Sequence, residues 1–90
     1  MNKRGKNLKT IPSHINYFEN LTTLDLRDNQ ITEIKGLDAL KSLTTLDLRW
    51  NQITEVKGLD ALKSLTELYL SNNKIIRIHS LKRLKNLSTL

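Results

Sequence analysis

Ninety residues supply at most one domain, and 38% apolar with 27% charged side chains is an ordinary globular composition, not a disordered or fibrous one. The absence of cysteine excludes a disulfide framework and a thiolate zinc site and fits a reducing compartment. No apolar run approaches the roughly 18 residues of a membrane span, and no signal-peptide core follows the basic start, so a cytoplasmic chain is expected.

The net charge of +6 is placed at the two ends. Lys3, Arg4, Lys6 and Lys9 stand against Glu19, and Lys74, Arg77, Lys82, Arg83 and Lys85 against Glu67, while residues 21–64 carry six cations and seven anions. Charge divided in this way makes no continuous stripe, which argues against nucleic acid and membrane as partners. Electrostatic docking through the basic ends stays the weakest of three functional readings.

In chain order, residues 1–7 read as a basic N-terminal tail. Residues 8–20, LKTIPSHINYFEN, read as the return half of a repeat whose own strand is missing. The complete unit begins at Leu21. Residues 21–42, LTTLDLRDNQITEIKGLDALKS, recur at 43–64 with two changes, Asp28 to Trp50 and Ile34 to Val56, and more loosely at 65–86. Residues 87–90 start a further, truncated repeat. Self-similarity at this period is the mark of a solenoid, in which each unit buries its apolar side against its neighbours.

Within each copy Leu-x-Leu alternates as a half-buried strand does: Leu24-Asp25-Leu26, Leu46-Asp47-Leu48, Leu68-Tyr69-Leu70. Asn29, Asn51 and Asn73 follow at one fixed place, where a side-chain amide can bond backbone through a bend. Beyond it, Ile31 and Ile34, then Leu37 and Leu40, lie three apart, a spacing that suits short 3₁₀ or helical turns. Gly36 and Gly58 mark where that path turns. The seven apolar positions of each copy (Leu21, Leu24, Leu26, Ile31, Ile34, Leu37 and Leu40 in the first) are the expected core, and Leu8 and Ile11 take the places of Ile31 and Ile34 in the half-repeat.

The pattern LxxLxLxxNxI, borne by Leu21, Leu24, Leu26, Asn29 and Ile31 and repeated twice, resembles the leucine-rich repeat family. The 22-residue length and the tail I-T-x-I/V-K-G-L-x-x-L are similar to the subclass of the protein-phosphatase regulatory subunit and of bacterial internalin-type proteins. The resemblance implies an α/β right-handed solenoid, a horseshoe segment with a parallel concave sheet, 3₁₀ or helical turns on the convex side and asparagines laddered inside the bend. It also implies binding of another protein, with no cofactor and no chemistry of its own. The half-repeat departs from it by one extra residue, by its I-P-x-x-I tail and by Lys6 where the asparagine is due. With no recognisable cap at either end, a fragment of a longer solenoid, or a marginally stable short one, is expected.

Alternation puts four columns on the outward face of the sheet as partner-binding candidates: Thr23, Thr45, Glu67; Asp25, Asp47, Tyr69; Arg27, Arg49, Ser71; Asp28, Trp50, Asn72. Neighbouring parallel strands stack like charges about 4.8 Å apart, a cost unless each Asp neutralises the Arg two residues on. Trp, Tyr and Arg are the types enriched in binding hot spots, and Arg49, Trp50 and Tyr69 fall on adjacent strands. The convex columns Lys41, Lys63, Lys85 and Asp38, Asp60, Lys82 read as a solvated back.

Catalytic and metal sites are not expected. His14 and His79 lack acidic partners at ligand spacing, Ser13-His14 is mere adjacency, and the three glycines build no phosphate loop. Asn20-Leu21-Thr22 and Asn86-Leu87-Ser88 match the glycosylation acceptor pattern, which matters only in a secreted protein. The leading expectation is a protein-binding module acting through its concave sheet. The alternative is a structural or targeting segment of a larger regulatory or enzyme polypeptide.

Overall fold

The computed structural model describes residues 1–78. Three short strands, β1 (Thr23–Asp25), β2 (Thr45–Asp47) and β4 (Glu67–Tyr69), form one parallel sheet in the order β1-β2-β4. Thr23 lies opposite Thr45 and Thr45 opposite Glu67, so the register between neighbours equals one copy length. Parallel neighbours require a crossover of a dozen or more residues, which the rest of each copy supplies. The result is a solenoid-like α/β stack of coils.

The core runs along its axis. In the second copy Leu43, Leu46, Leu48, Ile53, Val56, Leu59 and Leu62 are all buried, each covered by a coil on either side. The outer coils cover less. Leu21 and Ile75 are half-buried, and Ile78, expected in the core, is 59% exposed. Among the described residues the coil that carries Ile78 has a neighbour on one side alone, through the pairing of β5 (Arg77–Ile78) with Glu55–Val56. Leu81, Leu84, His79, Lys82, Lys85 and the sequon at Asn86 lie outside the described residues.

Each bend is held by its asparagine. The Asn51 amide nitrogen donates to the carbonyls of Leu48 and Arg49 in its own coil and of Leu26 in the preceding one, while its Oδ1 accepts from the Ile31 N–H at 3.0 Å. Asn73 repeats the set on Leu70, Ser71, Leu48 and the Ile53 N–H. Asn29 does so on Leu26, Arg27 and Lys3, and accepts from the N–H groups of Lys6 and Leu8. Buried backbone groups that leave a sheet need partners, and one side chain here serves two coils.

The N-terminal segment corrects one expectation. The half-repeat has a strand partner: Asn2 bridges Asp25 in parallel, with Lys3 N–H donating to the Asp25 carbonyl, Asp25 N–H to Met1 and Gly5 N–H to Arg27. Residues read as a basic tail thus run along the free edge of β1. At Lys6 the Asn29 amide nitrogen, one coil on, donates to the Lys3 carbonyl, which an asparagine at that place would otherwise bond.

The return path meets the expected short turns at the leucine pairs and not at Ile31–Ile34 or Ile53–Val56. Among the described residues a 3₁₀ helix forms only at Ser13–Tyr17, in the half-repeat. In the first two full copies the leucines close single turns, with Leu40 N–H to Leu37 O, Leu43 N–H to Leu40 O, and the same bonds from Leu62 to Leu59 and Leu65 to Leu62. Gly36 and Gly58, both at φ +76°, reverse the chain just before these turns and prevent them from merging with Ile31–Ile34 or Ile53–Val56 into a longer helical run. Between the second and third copies the same stretch becomes extended, as β3 (Glu55–Val56) pairs with β5 (Arg77–Ile78) in a second small parallel sheet. Among the described residues no helix is long and apolar enough to cross a membrane.

Candidate functional site

The alternation of Thr-Leu-Asp turns each central leucine inward and sends its neighbours to the other face, where the candidate columns lie side by side. Thr23, Asp28, Trp50, Ser71 and Asn72 are exposed, and Asp25, Arg27, Thr45, Arg49, Glu67 and Tyr69 are half-buried. Asp47 departs from the expected exposure: only 7% remains accessible, because its carboxylate sits between two guanidinium groups on the central strand.

Those groups form a continuous row. Arg27 holds Asp25 in a fork, Nε to Oδ1 at 3.0 Å and Nη2 to Oδ2 at 2.7 Å, and its Nε also lies 3.3 Å from Asp47 Oδ2. Arg49 grips Asp47 in the same way, Nη2 to Oδ2 at 2.6 Å. Arg27 therefore sits between Asp25 and Asp47 and offsets the stacking of like charges. The hydrogen bond from Arg27 holds the Asp25 carboxyl below the ordinary carboxylate range, against the opposing effect of its partial burial.

On β4 the row changes character. Tyr69 takes the column of Asp25 and Asp47, the Arg49 guanidinium stacks 5.0 Å above its ring, and the Tyr69 hydroxyl donates to Glu67 Oε2 at 2.8 Å. That hydrogen bond to a carboxylate raises the Tyr69 pKa above its ordinary value.

The fourth column lies at the turn into the asparagine ladder, and Asp28, Trp50 and Asn72 all take a left-handed conformation, φ 56°, 61° and 60°. Asp and Asn tolerate that region because their short polar side chains bond local backbone, whereas a bulky Trp gains nothing there and costs about 1–2 kcal/mol. Trp50 is nevertheless 57% exposed, so most of its ring gains no burial to set against the strain.

Arg4 is a member of this face that the sequence reading missed. Its Nε meets Asp28 Oδ2 at 2.7 Å, which extends the charged row onto the edge segment. The signal was present in the spacing. A 23-residue offset sets Arg4-Gly5 on Arg27-Asp28, and Gly5 shares the left-handed turn at φ +65°.

Elsewhere, a polar groove on the return path is lined by Thr32, Glu33, Thr54, Glu55 and Lys57, with no imidazole or thiol to activate a nucleophile. Among the described residues no three His, Cys, Asp or Glu side chains gather at metal-binding distance.

Comparison with known proteins gives a family. A family model described as Leucine Rich repeats (2 copies) matches residues 19–63, and another described as Leucine Rich Repeat matches residues 64–88. No curated protein matches the chain. Since the two matches between them take in every copy, and the strand register steps by the same unit, the chain belongs to the leucine-rich repeat family.

Proposed function

We propose that this chain is a protein-binding module and that its partner rests on the outward face of the sheet, the concave face in the horseshoe that the resemblance implies. The family is an interaction family without chemistry of its own, which supports the general reading. The observation that carries the particular face is Trp50. A large aromatic side chain held in a strained turn and left mostly in water lowers stability, and backbone strain that persists without a structural return points to function. A spacer or targeting arm has no use for it. Around Trp50, the columns from Thr23, Thr45 and Glu67 across to Asp28 and Asn72 supply the remaining contact surface.

The test uses Trp50→Asn, which installs the residue that Asn72 contributes to the next copy. The variant is expected to melt about 4–8 °C higher, the shift that about 1 kcal/mol of relieved strain gives in a domain of this size. It should also lose binders selected from a displayed peptide library against the native chain by about 30-fold or more, the loss of a hot-spot residue. Binders that keep their affinity for the variant would remove the sheet face from the proposal.

A further inference from the structure

The two central copies differ on the outward face in how many carboxylates each arginine receives. Arg27 meets two, Asp25 on its own strand and Asp47 on the next. Arg49 occupies the same place one copy on and meets Asp47 on its own strand, but the next strand offers the ring of Tyr69 where the pattern would set an aspartate. Among the described residues Arg49 has one carboxylate partner, shared with Arg27. A guanidinium carries five N–H donors in a planar fork, and the Arg49 bonds to Asp47 use only its Nε and Nη2. Among the described residues the Nη1 donors meet no acceptor, and the next residue in the chain is the exposed Trp50.

Resting on the sheet-face reading, we propose that Arg49 and Trp50 together bind a carboxylate side chain of a partner polypeptide and the apolar side chain next to it, the partner's acid taking the place that Asp47 fills for Arg27. Charge-assisted N–H to carboxylate bonds are the strong class of hydrogen bond, and Arg49 rests on the Tyr69 ring with about a third of its side chain, 36%, still exposed. The tryptophan supplies apolar area at small entropic cost. The face also disfavours a phosphate chain. Three arginines stand against four carboxylates along the row, which makes no continuous basic track for a phosphate chain and leaves the free donors local to Arg49.

The experiment begins with peptides selected from a random displayed library on the intact chain. Enrichment of Asp or Glu next to an aromatic or aliphatic residue is expected. Tyr69→Asp then supplies the missing carboxylate internally and should weaken those peptides tenfold or more. In the native chain, changing the peptide's Glu to Gln should cost a similar factor, and in Tyr69→Asp it should cost almost nothing further. Arg49→Gln provides a second route to the same loss if the aspartate variant melts early.

Binders that depend on Trp50 but show no acidic preference, or that tolerate both variants, would overturn this inference and leave the sheet-face reading standing. A library that yields no Trp50-dependent binder would overturn both. Tight binding of a single-stranded oligonucleotide that quenches Trp50 and is lost in Tyr69→Asp would replace the polypeptide acid by a phosphate.

Discussion

Residues 21–42 and 43–64 are identical at all but two places, yet the structure gives the same letters different work. Leu21 is half-buried while Leu43 is fully buried. Asp25 lies half-open beside one arginine, and Asp47 is enclosed by two. Gly36 has open space where a Cβ would stand, whereas a Cβ on Gly58 would come within 2.5 Å of the Ile34 carbonyl oxygen. What separates the copies is position in the stack. The first rests on a half-repeat with an extra residue, and the second lies between two full coils. In a repeat protein, the cost of a substitution is set by the neighbours as much as by the residue.

Paired substitutions can break that comparison. The largest difference is expected from truncating the leading leucine. Leu43→Ala should cost about 2–5 kcal/mol, as for other fully buried leucines, and Leu21→Ala about 1–2 kcal/mol because less area and a smaller cavity are at stake. Urea midpoints at constant slope would measure both, and equal losses would mean that the first coil is as well covered as the second.

Next in size is the glycine pair. Gly36→Ala pays only for the left-handed backbone, about 1 kcal/mol, while Gly58→Ala adds a clash with a backbone oxygen and should cost about 3 kcal/mol. Thermal melts that place the two variants together would show that the coils can separate at Ile34 at little cost.

The smallest effect concerns acid. The folded-state pKa of Asp25 is depressed, so its ionised form contributes stability that is present above about 3.9, the ordinary unfolded value, and fades as pH falls through the lower folded value. Asp25→Asn should flatten that part of the stability curve below about pH 4 and leave its slope near neutrality unchanged. A variant with an unaltered acid limb would assign the acid sensitivity to other carboxylates.

The period, the inward leucines of the central copies and the asparagine positions were all legible in the sequence, because each is a local pattern repeated in phase. The outward columns were legible too, as a consequence of strand alternation. What could not be read was pairing between segments whose letters do not repeat. Residues 1–5 lack leucines, so nothing in their periodicity marks a strand, although Arg4-Gly5 carried the clue at a 23-residue offset. The burial of Asp47 depends on Arg27 reaching across from the neighbouring strand, a side-chain length effect that alternation ignores. The Ile31–Leu40 spacing suggested helical turns, but three-residue spacing equally suits separate turns, and the left-handed glycine between the pairs decided for the latter.

The asparagine ladder gives the stack a direction. Each Oδ1 reaches back to an amide of the coil before it, Asn73 to Ile53, Asn51 to Ile31 and Asn29 to Leu8, so each bend is secured by its own asparagine and by its successor's, and by none before it. The N-terminal coil has Lys6 at the asparagine place, whereas losing the asparagine that follows any coil leaves a buried amide without an acceptor. Unravelling should accordingly travel backwards along the chain, freeing Ile53 before Ile31 and Ile31 before Leu8.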